Sequence, residues 1–315
     1  MRKSLFFLLL FCVPGAGLFA QGAAGGSSSN NSQSSDDQNR IKVRVELVNV
    51  LTTVTDKKNR LVTDLTKDDF RIFEDGRPQE IRFFSRETDL PLRIGLLVDT
   101  SNSIRERLSF EQEAAIDFLN VAVRPGKDLA FVVAFDVEPQ MVQDYTDDIE
   151  KLSNAIRGLK AGGVTSLYDA VFTSCKEKLL FFPPPEPYLR RVMIIISDGQ
   201  DNHSVHSQEE ALSMAQRAEV TIYTISTNRS GAEERGDKVL RTLADVTGGH
   251  AFVPYEAGDL AANFEEIARD LRSQYSLAYV STNAAHDGTF RSITIQPVDK
   301  NLRVRYKKGY FALSQ

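Results

Sequence analysis

The chain predicts an α/β protein with a doubly wound, mostly parallel sheet of the Rossmann-like kind, flanked by a smaller β-sandwich-like unit. Three observations lead there. Between residues 91 and 272, continuous apolar runs that end in polar loops alternate with stretches whose apolar residues recur every three or four positions. Strands apolar on both faces belong in a parallel sheet covered on both sides by helices. Residues 41–90 and 273–315 instead alternate apolar with polar residues, as strands with one wet face do. Each flank has too few strands to close alone, so one sandwich built from both, with the α/β unit inserted between them, leaves the fewest open edges.

The first element is a leader. Arg2 and Lys3 precede the apolar run Leu5–Val13, and Leu18-Phe19-Ala20 offers a small residue for cleavage. Residues 1–20 therefore read as a secretory signal, too short and wrongly flanked for a membrane span. Cys12 follows Phe11, which is too large for lipoprotein processing, so a lipid anchor is not expected. Residues 21–40 are Gly, Ser, Asn, Gln and Asp almost throughout, a composition that cannot bury enough surface to order itself and reads as a linker. No later run is apolar for long enough to span a bilayer. The expected product is exported, periplasmic or extracellular.

Composition narrows the function. The chain is 42% hydrophobic and 26% charged, with a net charge of −5 that becomes −7 once Arg2 and Lys3 are removed. A nucleic-acid footprint would be a basic stripe, and none is present. Cys175 is the single cysteine outside the leader, so no internal disulfide is expected. The pattern Phe172, Cys175, Leu179 buries that thiol on a helix face.

In the N-terminal flank, Val43–Val54 is rich in β-branched residues and Thr55–Asn59 turns the chain. Phe70–Phe73 and Ile81–Phe84 alternate around Glu74-Asp75-Gly76, and Asp-Gly is a strong hairpin signal because both central positions favour positive φ. The α/β unit then predicts strands at Ile94–Val98, Leu129–Phe135, Val192–Ser197, Val220–Ile225 and Ala251–Val253. Helices are expected at Leu108–Val123, Ile149–Leu159, Leu167–Phe182, Glu209–Ala218, Lys238–Val246 and Leu260–Leu271. The acidic stretch Asp144, Asp147, Asp148, Glu150 opens a helix, Phe181–Pro187 reads as a stiff connector or a polyproline ligand, and Gly248-Gly249 stops a helix. Strands return at Tyr275–Val280, Phe290–Pro297 and Leu302–Phe311.

Ligands of an open parallel sheet bind beyond the carboxyl ends of its strands. Three polar loops fall there: Asp99-Thr100-Ser101-Asn102-Ser103, Gly162-Gly163-Val164-Thr165 and Ser197-Asp198-Gly199. The first matches the D-x-S-x-S signature of von Willebrand factor type A (vWA) domains, and the other two resemble that family's threonine and aspartate loops. The order of elements from Leu92 to Arg272 is similar as well. Thr66–Phe70 with Glu74–Gly76 also resembles a pattern in secreted bacterial vWA-related proteins. The resemblance implies a complete metal-ion-dependent adhesion site made of Asp99, Ser101, Ser103, Thr165 and Asp198. Asp169, in the first turn of the helix after Thr165, either supports that site from behind or only favours the helix dipole. It further implies a divalent cofactor, Mg²⁺ first and Mn²⁺ or Ca²⁺ as alternatives, and a protein partner that supplies a Glu or Asp. Mg²⁺ takes few carboxylates plus neutral oxygens, which suits this set.

Taken singly, each loop has a plainer reading: Ser101 or Ser103 caps the following helix, Thr165 caps its own, and Asp198-Gly199 is a turn. Asp201, His203 and His206 could mimic a zinc cluster. No G-x-S-x-G elbow, P-loop or H-E-x-x-H motif appears, which argues against an enzyme. The expected function is metal-dependent protein binding. The alternatives are a scaffold whose metal site is silent and a metal-assisted hydrolase.

Overall fold

The computed structural model describes residues 47–87, 89–180, 189–228, 232–254 and 257–314, which all fall in one compact unit, Val45–Gln315. The leader, the linker, residues 41–46 and the connector Phe181–Pro187 lie outside the described residues. Among the described residues, no helix is long and apolar enough to cross a membrane.

The centre is a six-stranded sheet built from β5 (Leu92–Asp99), β6 (Leu129–Phe135), β7 (Pro139–Thr146), β8 (Arg190–Ser197), β9 (Val220–Ser226) and β10 (Ala251–Phe252). Its order is β10-β9-β8-β5-β6-β7. Every pairing is parallel except β6 with β7, which is antiparallel and broken by register shifts. All eight residues of β5 are buried, as expected of a strand covered on both faces. Ile94, Leu96 and Val98 pack toward α1 (Leu108–Ala122), α2 (Ile149–Arg157) and α6 (Ala257–Asp270). Leu97 packs the other way, toward α3 (Leu167–Ser174), α4 (Gln208–Arg217) and α5 (Arg235–Thr247). Each such aliphatic side chain taken out of water contributes about 1.5–3 kcal/mol, so these two layers dominate the stability of the unit.

The flanks form two further antiparallel sheets. One has the order β13-β1-β11-β4, from β1 (Leu47–Thr55), β4 (Ile81–Glu87), β11 (Gln274–Val280) and β13 (Arg303–Tyr306). The other has the order β14-β12-β2-β3, from β2 (Phe70–Glu74), β3 (Arg77–Gln79), β12 (Phe290–Pro297) and β14 (Gly309–Phe311). Their inner faces share one core that includes Val50, Ile72, Tyr275, Leu277, Ile293 and Ile295. Asp75 and Gly76 turn β2 into β3 with φ values of 47° and 77°.

Three elements differ from expectation. Pro139–Thr146 is a strand, which the sequence did not signal. Leu302–Phe311 is two short strands in different sheets, because the chain crosses over at Lys307–Lys308, where the Lys308 amide donates to the Val246 carbonyl. The helix begun at Leu167 changes at Cys175 into a π-helical turn that runs to Leu179. Arg291 is an inward-facing position of β12 although it is charged, and it lies 3.7 Å from the buried carboxylate of Glu74. That carboxylate also accepts the hydroxyls of Tyr279 at 2.8 Å and Tyr310 at 2.9 Å.

Candidate metal-binding site

The first loop leaves the buried end of β5. Asp99 has no exposed surface. Its Oδ1 accepts the Ser101 amide at 2.9 Å and its Oδ2 accepts the Ser197 hydroxyl at 2.6 Å. The Thr100 amide donates to the Phe135 carbonyl of β6 at 2.9 Å, which ties the loop to the neighbouring strand. Ser101 Oγ and Ser103 Oγ stand 2.9 Å apart. A 3₁₀ turn, Asn102–Ile104, follows and buries Ile104 in the core.

The second loop is stitched to the first. The Gly162 amide donates to the Thr100 carbonyl at 2.7 Å, and the Asn102 side chain donates to the Gly163 carbonyl at 3.2 Å. Gly163 has φ +79° with Asp136 packed against it, so a side chain there meets both strain and a close contact. Thr165 is buried at the start of α3, where the Ser166 hydroxyl donates to the Asp136 carbonyl at 2.8 Å.

The third loop closes the triangle. Ser197, the last residue of β8, donates to Asp99 and accepts the Gly199 amide at 3.0 Å. Asp198 is buried, and its Oδ1 accepts the Gln200 amide at 3.0 Å. Asn202 Oδ1 accepts the Thr165 amide at 3.0 Å, while the Thr165 carbonyl accepts the amides of Asn202 and His203. Gly236 at the start of α5 lies against this loop so tightly that a Cβ there would sit 1.9 Å from the Asp198 carbonyl oxygen.

The structure thus draws together the loops that carry Asp99, Ser101, Ser103, Thr165 and Asp198. The capping alternative does not hold for two of the hydroxyls: neither Ser101 nor the N-cap residue of α3, Ser166, makes a side-chain cap bond, and Thr165 is not the cap. The Asp198-Gly199 turn does form, with Gly199 at φ +74°.

Asp169 lies one step further out. Its oxygens accept the amides of Val205 and His206 at 2.9 Å each, and Oδ1 is 2.6 Å from His206 Nδ1. The His206 ring stacks on Phe172 with centroids 3.8 Å apart. Asp201 is taken up by the Tyr168 amide and the Ser204 hydroxyl. Among the described residues, no three His, Cys, Asp or Glu side chains gather at one point, so Asp201, His203 and His206 do not form a zinc cluster. A site of two carboxylates and three hydroxyls lies outside any such grouping. Ser197 and Asn202 carry no motif in the sequence, yet one orients Asp99 and the other holds the Thr165 amide.

Electrostatically the site is acidic and uncompensated. Burial pushes the Asp99 carboxyl up to about 6, against the pull of its hydrogen bonds from Ser197 and Ser101, and the like charge of Asp198 adds to the rise. Among the described residues no basic side chain forms a salt bridge with Asp99 or Asp198. Buried charge without a partner is costly, and a cation relieves that cost. The donors are all oxygen, which suits a hard divalent ion.

Residues 94–200 match the family model described as von Willebrand factor type A domain. A human relative, von Willebrand factor A domain-containing protein 3B, is 25% identical over 161 residues, which cover 50% of this chain and 11% of that protein. The match therefore spans about a tenth of the relative's length. Among solved structures, a von Willebrand factor type A protein from Catenulispora acidiphila is similar at 11% identity over 86% of this chain and 74% of its own, with a TM-score of 0.49. Proximal thread matrix protein 1 from the mussel byssus, with a zinc-occupied MIDAS motif, is 18% identical over 64% of this chain and 50% of its own, with a TM-score of 0.49.

Proposed function

We propose that this chain, whose residues 94–200 match the von Willebrand factor type A domain model, is an exported, non-catalytic binding module that captures an acidic residue of a partner protein through a divalent metal ion. Asp99, Ser101, Ser103, Thr165 and Asp198 hold that ion, and Mg²⁺ is the preferred occupant. The observation that carries this reading is the set of cross-linked loops that brings two buried carboxylates and three hydroxyls to one end of the sheet. When bound, the ion supplies an open coordination position for the partner's carboxylate.

The residues of the chain do the rest. Ser197 and the Ser101 amide orient the Asp99 carboxylate, so its direction is set before any ligand arrives. Three of the five donors are neutral hydroxyls, so the set brings no more negative charge than the ion's own positive charge, and five donors leave a sixth position for the partner's carboxylate. Asn102, Ser103, Gly163, Val164, Asn202 and His203 are exposed, so the site opens outward to a protein surface. Export rests on residues 1–20 alone.

A scaffold with a silent site is the second reading. It is favoured by the hydrogen bonds that Asp99 and Asp198 already accept, which close the loops from within the chain. Calorimetric titration of Mg²⁺ into the EDTA-stripped protein separates the two. The binding reading expects one saturable site that Thr165→Ala and Ser103→Ala each weaken at least about tenfold. A flat titration leaves the scaffold in its place.

A further inference from the structure

The candidate site is charged at its base, yet the loops around it carry bare aliphatic side chains. Val164 is 39% exposed and directly precedes Thr165. Val137, in the β6–β7 loop, is 48% exposed, and its Cγ2 lies 3.2 Å from the point a Cβ on Gly163 would occupy, so it stands beside the same loop. Val205 is 90% exposed, and its amide is held at 2.9 Å by Asp169 in the first turn of α3. These residues stand on three different connections that meet around Thr165. A single exposed valine is ordinary; aliphatic groups from three loops around one polar centre are what interaction surfaces show. Arg105 adds a cation to this rim: its exposed guanidinium donates to Asn102 Oδ1 at 2.7 Å and to the Ala161 carbonyl at 3.3 Å.

We propose that Val137, Val164 and Val205 form an apolar collar that selects the partner: an acidic residue on a protein loop whose immediate neighbours are aliphatic or aromatic. This rests on the metal-site reading above and states which acidic residues it accepts. The base of the site takes the carboxylate and Arg105 steers it in. The collar covers the flanking side chains and excludes water from around the charged contact, which strengthens it. An acidic residue in a polar, hydrated loop would leave the three valines wet and gain only the charged contact.

The test has two arms. Mg²⁺-dependent thermal stabilisation of the full chain checks the metal reading on its own. Panning a library of disulfide-closed seven-residue loops in Mg²⁺, with elution by EDTA, then checks the collar. Recovered loops are expected to carry Asp or Glu with Val, Ile, Leu, Met or Phe within two positions. The triple variant Val137→Ser, Val164→Ser, Val205→Ser is expected to weaken a recovered loop at least tenfold while keeping the full Mg²⁺ response. Acidic loops with only polar neighbours, no EDTA-eluted loop despite a normal Mg²⁺ response, or unchanged affinity in the triple variant each overturn the collar. Loss of the Mg²⁺ response in the unsubstituted protein overturns the metal reading instead.

Discussion

Replacing Asp99 by Asn is expected to stabilise the metal-free protein and to abolish its response to Mg²⁺. The carboxyl of Asp99 is fully buried and titrates near 6 rather than 3.8. A folded-state value above the unfolded one means that ionisation opposes folding. The penalty is absent below the unfolded value, grows as pH rises, and is complete above about 6. At pH 7.5 the two values correspond to about 3 kcal/mol. Asn keeps an acceptor for the Ser101 amide but presents an NH₂ where the carboxyl had its second oxygen, so it cannot match both bonds of the neutral carboxyl, which returns about 1–2 kcal/mol. The net gain without metal is about 1–2 kcal/mol, or about 2–8 °C in melting temperature for a unit of this size. Metal acts oppositely. With an affinity near ~0.1 mM, ~5 mM Mg²⁺ adds about 2 kcal/mol to the unsubstituted protein by mass action and nothing to the variant. The assay is thermal unfolding of both proteins in EDTA and then in Mg²⁺. A variant that melts lower in EDTA refutes the burial argument, since the carboxylate would then be a net structural asset. A variant that keeps the Mg²⁺ shift places the ion elsewhere.

Two further outcomes concern the rest of the molecule. Glu74→Ala takes the carboxylate from beside the buried Arg291, which keeps its bonds to Ser281 and to the Asn283 and Ala285 carbonyls, and leaves the Tyr279 and Tyr310 hydroxyls without that acceptor, so urea unfolding should show a loss of about 3 kcal/mol; Glu74→Leu combined with Arg291→Met should recover part of it, and no recovery would mean the hydroxyl bonds carry the whole effect. His250 is held down to about 4, chiefly by burial and then by Arg305. It stays neutral in the fold while the unfolded chain takes up a proton below about 6.5, so stability falls between pH 6.5 and 4, by up to about 3 kcal/mol; His250→Gln should flatten that part of the stability–pH curve, and an identical slope in the variant would rule the residue out.

The parallel strands were legible because burial on both faces leaves a continuous apolar run, as in Ile94–Val98 and Val192–Ile196. The loops after β5 and β8 were legible for the same reason, since a polar loop after such a run has one end of the sheet to occupy. β7 was not legible. It is an edge strand with partly exposed residues throughout, so no inward face imprints an alternation on Pro139–Thr146. Arg291 and Glu74 were hidden because inward positions of alternating strands are expected to be apolar, and here a charged pair fills two of them. The cross-links from Asn102, Ser197 and Asn202 were hidden for another reason: their partners are 61, 98 and 37 positions away, and spacing along the chain carries no sign of them.

The way the α/β unit is threaded through the sandwich bears on how the chain folds as it is made. Gln274 pairs with Glu87, so the inserted unit leaves the sandwich and re-enters it on adjacent strands. Contacts such as the Leu65 amide to the Tyr275 hydroxyl join residues 210 positions apart. During synthesis, β1 to β4 emerge first but cannot complete either sheet until the last forty or so residues follow. In that interval they present open strand edges, the condition under which chains associate wrongly. The α/β unit draws its sheet and helices from consecutive segments, so it is free to form while the flanks wait. Once folded, it holds Glu87 and Gln274 together and shortens the closure the late strands must achieve. A chain that stops before β11 would therefore keep a sound α/β unit and leave β1 and β4 without the strand that lies between them.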